Sequence, residues 1–213
     1  VTPQTPAPTA MDPARALDTA LRRLEQNRTR WTETPAAARI ALLKRIRVGV
    51  IDQAEAWVDA ALTRKALAAD SPLAGEEWSS GPWVMLTTVD LLLETLSQTD
   101  PERFSRGFPS RTTGAGQLAV QVFPRTLFDR LLLSGVTAEV WMEPGVDRAG
   151  LGETMGRAAA CTSNALESKL SLVLGAGNIT SIAPLDALHK LFIDNSVVIL
   201  KLTPVLDSLG DAF

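Results

Sequence analysis

The chain has 213 residues, 46% of them apolar and 21% charged, enough for one cored domain with or without an appendage. A formal charge of −3 leaves no basic footprint, which argues against nucleic acid as a partner. Cys161 is the only cysteine, so an internal disulfide is excluded and a reducing compartment, the cytoplasm, is expected.

The opening VTPQTPAPTA has three prolines and neither a basic nor an apolar block, which predicts a flexible tail over 1–11 rather than a signal peptide. Asp12-Pro13 reads as a cap and first-turn proline, with Ala16, Leu17, Ala20, Leu21 and Leu24 following at helical spacing. Thr34-Pro35 repeats that signal before a long amphipathic stretch to about Leu67. Ile40, Leu43, Ile46, Val50, Ile51, Trp57 and Leu62 are its expected buried face. A third helix, apolar almost all round, is predicted from Pro82 to Leu96. Trp78 and Trp83 flank its start as expected packing anchors. Between Asp100 and Gly116 the Pro, Gly, Ser and Arg content predicts a loop, with Arg103, Arg106 and Arg111 as solvated charges.

The period then changes. Residues 117–123 and 138–143 alternate as half-buried strands and stop at Pro124 and Pro144. The Gly- and Ala-rich segment 145–168 predicts a loop with a short helix near 153–163, and Cys161 reads as a small buried thiol. From 170 the pattern is strand, turn, helix, strand: LSLVL, GAGN, a helix over 184–193, then SVVILK. That order predicts a βαβ unit with two parallel strands. The helix carries Leu185, Leu188, Leu191 and Phe192 on one side, with His189 on its surface. Residues 205–213 read as the start of another helix. The longest apolar stretch, 170–188, is interrupted by Gly, Asn, Pro and Asp, so no membrane span is expected.

Gly175-Ala176-Gly177 sits where a dinucleotide fingerprint would, but Thr180 occupies the third glycine position and Lys201 stands where an acid is required. Asn178 and Lys201, 23 residues apart, instead lie past the carboxyl ends of consecutive parallel strands, on one rim of the sheet. An amide and an ammonium there would suit developing negative charge and a polar nucleotide. The alternative is an Asn that satisfies turn backbone beside a solvated strand end.

The run GAGN, the helix PLDALHKLF and the strand SVVILKLTP resemble the first βαβ unit of the coenzyme-binding domain of the aldehyde dehydrogenase superfamily. In that family a strand ends in Pro-Trp-Asn, and the next reads Val-Val-(apolar)-Lys-Pro-(Ser/Ala)-Glu, with the same interval from Asn to Lys. The helices around Trp31 and the two alternating strands also fit the family's N-terminal order.

The resemblance implies an α/β fold: N-terminal helices plus the first βαβ of a Rossmann-like parallel sheet, with accessory or arm strands at 117–144 and the βαβ unit at 170–204. Residues 12–213 would form the N-terminal part of the coenzyme-binding domain of an incomplete aldehyde dehydrogenase-like fold. It implies that Asn178 resembles the catalytic asparagine, and that Lys201, with Thr203 beside it, contacts the cofactor, NAD or NADP. Small aldehyde or acyl substrates and a homo-oligomer follow from it, as does catalysis through a Cys and a Glu further along, so that residues 1–213 alone would be inactive. No metal site is expected. Ala176 and Gly177 replace the family's Pro-Trp, and Pro204 falls at its acidic ribose partner, which opens the site to NADP. Those departures favour, as rivals, a non-catalytic oligomerising scaffold that keeps the fold, or an unrelated nucleotide-binding module.

Overall fold

The computed structural model describes residues 12–98, 101–154, 168–207 and 210. The chain divides into two compact units, one of Val1–Leu93 with Ala158–Phe213 and one of Glu94–Arg157.

In the first unit, helix α1 (Pro13–Thr32) starts where the sequence places it: Pro13 takes the first position and Asp12 Oδ1 accepts from the Ala14 N–H at 3.2 Å. Leu21, Leu24, Arg28 and Trp31 form its half-buried stripe, while Leu17, expected on that face, is 51% exposed. Helix α2 (Ala36–Arg64) buries Leu43, Val50, Trp57, Val58, Ala61 and Leu62. Ile51 does not belong to that face. One step round the helix from Val50 turns it by ~100°, and it stands 49% exposed.

The third helical segment begins earlier than its pattern predicts. A short α3 (Ala74–Trp78) runs into a π turn (Ser79–Trp83) and then α4 (Val84–Ser97). Within the first unit α4 buries Met85, Val89 and Leu92 at 3–4-residue spacing, but Leu91 is exposed, so the helix is one-sided rather than buried all round. The π turn accommodates Pro82, which has no N–H to donate, and presses Gly81 against the core. A Cβ on Gly81 would lie 3.3 Å from both Trp57 Nε1 and Thr180 Oγ1.

The βαβ prediction holds. Strands β4 (Lys169–Leu174) and β5 (Ser196–Lys201) pair in parallel, in register from Lys169–Ser196 to Leu174–Lys201. Their connection is helix α8 (Ile182–Leu188) followed by a second π turn (His189–Ile193), not one continuous helix. Leu188 and Phe192 are its buried residues from the predicted stripe. Asn195, at φ 55°, supplies the left-handed residue that redirects the chain into β5. Helix α1 packs on both strands.

The second unit replaces the loop expected over 100–116 with helix α5 (Pro101–Arg106) and strand β1 (Ser110–Thr112). With β2 (Leu118–Phe123) and β3 (Ala138–Trp141) it forms an antiparallel sheet ordered β1-β2-β3. Phe108, Leu118, Val120 and Leu151 form the core, with Phe104 and Met142 against it. Arg148 fastens the α5–β1 corner by donating to Phe108 O at 2.7 Å, Ser110 Oγ at 2.8 Å and Arg106 O at 3.1 Å. Helix α6 (Leu127–Leu132) opens with a capping box: Thr126 Oγ1 accepts from the Asp129 N–H, and Asp129 Oδ2 accepts from the Thr126 N–H. The Thr126 and Arg125 N–H groups, both donating to Asp129 Oδ2, hold the Asp129 carboxyl below its ordinary value.

The described residues thus form a mixed α/β structure with one parallel and one antiparallel sheet. Of the segment expected to carry a short helix, α7 (Leu151–Thr154) is described. The tail 1–11, Cys161 and most of the helix expected over 205–213 lie outside the described residues; residues 204–206 form a turn and Asp207 a 3-10 turn rather than α-helix. No helix among the described residues is long and apolar enough to cross a membrane.

Candidate functional site

The rim past the carboxyl ends of β4 and β5 is built by backbone contact between two exit loops. The Gly175 N–H donates to Lys201 O at 2.9 Å, extending the parallel ladder by one bond. A Cβ at Gly175 would meet the Ala183 Cβ at 2.9 Å and Lys201 O at 3.3 Å, so only glycine lets the strand end pass this close to α8 and β5. At Gly177 a Cβ would come within 3.3 Å of Thr203 Oγ1. The two glycines therefore seat the 175–178 loop against the 201–203 loop.

Three polar side chains on these loops have no hydrogen-bond or ion-pair partner among the described residues: Asn178, Lys201 and Thr203. Asn178 is exposed, and its amide does not close the turn. Lys201 is exposed at the last position of β5, while Thr203 Oγ1 is buried without a partner. Beneath them the loops are anchored. Trp57 Nε1 donates to Thr180 Oγ1 at 2.9 Å, Ser181 Oγ donates to Ser80 O at 2.5 Å, and Arg64 Nε donates to Val205 O at 2.9 Å. Thr180, which breaks the dinucleotide fingerprint, is therefore a buried core acceptor for Trp57.

Other residues singled out in the sequence lie elsewhere. His189 opens the second π turn on the surface, its Nε2 3.5 Å from Asp194 Oδ1. Asp194 is held below the ordinary carboxylate value, first by the hydrogen bond from Lys190 Nζ at 2.6 Å. Arg111 is an exposed partner of Glu139, with bonds of 2.9 and 2.7 Å. Trp78 and Trp83 are not packing anchors: they are 44% and 54% exposed, because the π turn puts Gly81 and Pro82, not the indoles, against the core.

Two buried ionic groups escaped the sequence reading. Arg39 is fully buried and donates to Thr34 O, Leu191 O, Trp31 O and Asn195 Oδ1. Glu77 is buried with Oε1 on Lys65 Nζ and Oε2 without a partner. Arg39 lies four residues before Leu43, on the buried stripe of α2, so the spacing marks its position although its charge argues against burial; Glu77 lies in a helix too short to show a face. Compared with family models, with curated proteins and with solved structures, the chain matches none.

Proposed function

We propose that residues 1–213 are the N-terminal portion of an NAD(P)-dependent aldehyde dehydrogenase-like oxidoreductase whose Rossmann-like sheet begins with β4 and β5. The observation that carries this reading is the rim: an amide, an ammonium and a buried hydroxyl, none with a partner among the described residues, past the ends of two parallel strands. Ligands of open α/β sheets bind at such rims. The residues fit one end of a nicotinamide cofactor. Lys201 Nζ would donate to the adenosine ribose or to a 2′-phosphate, and the Thr203 hydroxyl would supply a second contact within the same loop. When bound, the cofactor would accept hydride.

Asn178 would donate its amide to the oxyanion formed when a thiolate adds to a small aldehyde or acyl carbonyl. That chemistry needs a Cys nucleophile and a Glu base from outside residues 1–213, so these residues alone are inactive. Self-association fits the apolar surface of the second unit, where Leu127, Phe128, Leu131 and Leu132 of α6 are all at least 60% exposed. A cytoplasmic location follows from the cofactor and the lone cysteine.

The test is steady-state kinetics in the active parent polypeptide. Asn178→Ala lowers turnover about a hundredfold and leaves cofactor affinity unchanged, because the donor acts on charge present only after thiolate attack. Lys201→Ala does the reverse, raising the cofactor KM with little change in kcat. Turnover of Asn178→Ala within a factor of two of the parent sinks the proposal and favours the non-catalytic scaffold.

A further inference from the structure

We infer that a groove on the first unit, between α2 and the first π turn, binds a small organic cation with an alkylated ammonium head. The groove has a volume of about 640 Å³, within the ~300–1,000 Å³ typical of small-molecule sites. Its walls carry Trp78 from the end of α3, Trp83 from the π turn, and Ile51, Asp52, Ala54 and Glu55 from one face of α2.

The aromatic side is placed by the core. Gly81 fits under the Trp57 indole and against Thr180, and Pro82 is buried with it. Trp78, just before that turn, and Trp83, at its end, are consequently pushed outward, and both line the groove. π turns inserted between helical segments are frequent at functional sites. Two half-exposed indoles on one open groove forgo much of the burial that such rings normally gain.

The charge is one-sided. Asp52 and Glu55 are three apart on α2 and exposed, and neither has an ion-pair partner among the described residues. No Lys or Arg lines the groove. The positions four residues either side of Asp52 are Val48 and Ala56, and those around Glu55 are Ile51 and Asp59, so α2 offers neither acid a neutralising neighbour. An indole face attracts cations, most strongly those that shed water cheaply. An alkylated ammonium meets both demands: its charge faces the rings and carboxylates, and its alkyl groups rest on Ile51, Ala54 and Pro82. A strongly hydrated metal ion meets neither, and no group of three or more potential metal ligands occurs among the described residues.

The experiment is a titration of the chain with tetramethylammonium chloride, followed through the indole Nε1–H signals in ¹H–¹⁵N spectra, with sodium chloride as the ionic-strength control. The expected result is a saturable shift of two indole signals, lost respectively in Trp78→Phe and Trp83→Phe, with a dissociation constant of about 1 mM or tighter. Asp52→Asn with Glu55→Gln keeps the shape of the groove and removes its charge, and it should weaken binding about tenfold or more. A linear response, an equal response to sodium chloride, or a double variant that binds within twofold of the parent each overturns the site. These residues lie away from Asn178, Lys201 and Thr203, so the outcome is independent of the oxidoreductase reading.

Discussion

Arg39→Met tests the claim that a buried guanidinium, not apolar contact alone, joins the helices to the crossover. Arg39 Nε donates to Thr34 O at 3.0 Å, Nη1 to Leu191 O at 3.3 Å, and Nη2 to Trp31 O at 2.6 Å and Asn195 Oδ1 at 2.5 Å. Its guanidinium also lies 4.3 Å from the centroid of the Trp31 ring. One side chain thus closes the end of α1, the start of α2, the second π turn and the turn into β5. Bonds to a charged group contribute about 1.5–3 kcal/mol each. Two offsets reduce their sum: Leu191 O keeps the Trp31 Nε1 donor at 3.1 Å, and methionine no longer carries the cost of burying a charge. The net loss is about 2–4 kcal/mol, because Thr34 O, Trp31 O and Asn195 Oδ1 are neutral acceptors that lose this donor. Urea unfolding followed by tryptophan fluorescence reads it as a lowered midpoint with an unchanged slope. Arg39→Lys should recover less than half of the loss, since an ammonium cannot span four acceptors in a planar fork. A loss below about 1 kcal/mol for Arg39→Met would refute the reasoning and make the network incidental to packing.

Two further outcomes follow from the βαβ unit. Gly175→Ala puts a methyl 2.9 Å from the Ala183 Cβ and costs about 1–3 kcal/mol, measured by thermal melting; an unchanged melting temperature would mean that the β4 exit is not tightly seated. The depressed Asp194 carboxyl adds a small stabilisation that is complete above the ordinary carboxylate value and is lost as pH falls through its lower folded value. Melting temperature should therefore fall further below about pH 4 in the parent than in Asp194→Asn, and equal acid sensitivity of the two proteins would reject the Lys190 bond as the cause.

What could be read in the sequence was what periodicity and end signals encode. Asp12-Pro13, the stripe of α2 and the two apolar runs around GAGN each state their structure locally, and the helices and parallel pairing follow. The capping box Thr126–Asp129 was equally local and would have revealed α6. What could not be read depended on a neighbour distant in sequence. The π turn at 79–83 exists because Gly81 meets Trp57 and Thr180, more than twenty and nearly one hundred residues away respectively, and that contact turns Trp78 and Trp83 from core into surface. Arg39 reads as a solvent-facing charge until Leu191 and Asn195 arrive from the far end of the chain. The rim was legible as the position of Asn178 and Lys201 past two strand ends. That none of the three rim side chains has a partner among the described residues was not, because an absent hydrogen bond has no signature in residue order.

The same long-range contacts determine how firmly Asn178 is presented. Two and three residues beyond it, Thr180 and Ser181 are buried and bonded to Trp57 and to the Ser80 carbonyl, so the loop rests on α2 and the π turn rather than on its own turn geometry. Thr180→Val keeps the volume and removes the acceptor of the Trp57 Nε1 bond, at a cost of about 1–3 kcal/mol. If the anchor is local, the loss appears first as opening of the Asn178–Ile182 segment, before global unfolding. Hydrogen exchange should then show amides of this segment exchanging about tenfold faster or more, while α1 amides change only by the global loss. An oxyanion donor acts through fixed placement, so in an active parent this variant lowers kcat and leaves the cofactor KM unchanged. Uniform loss of protection across the first unit, with none concentrated at 178–182, would show that the bond supports the core as a whole and does not position Asn178.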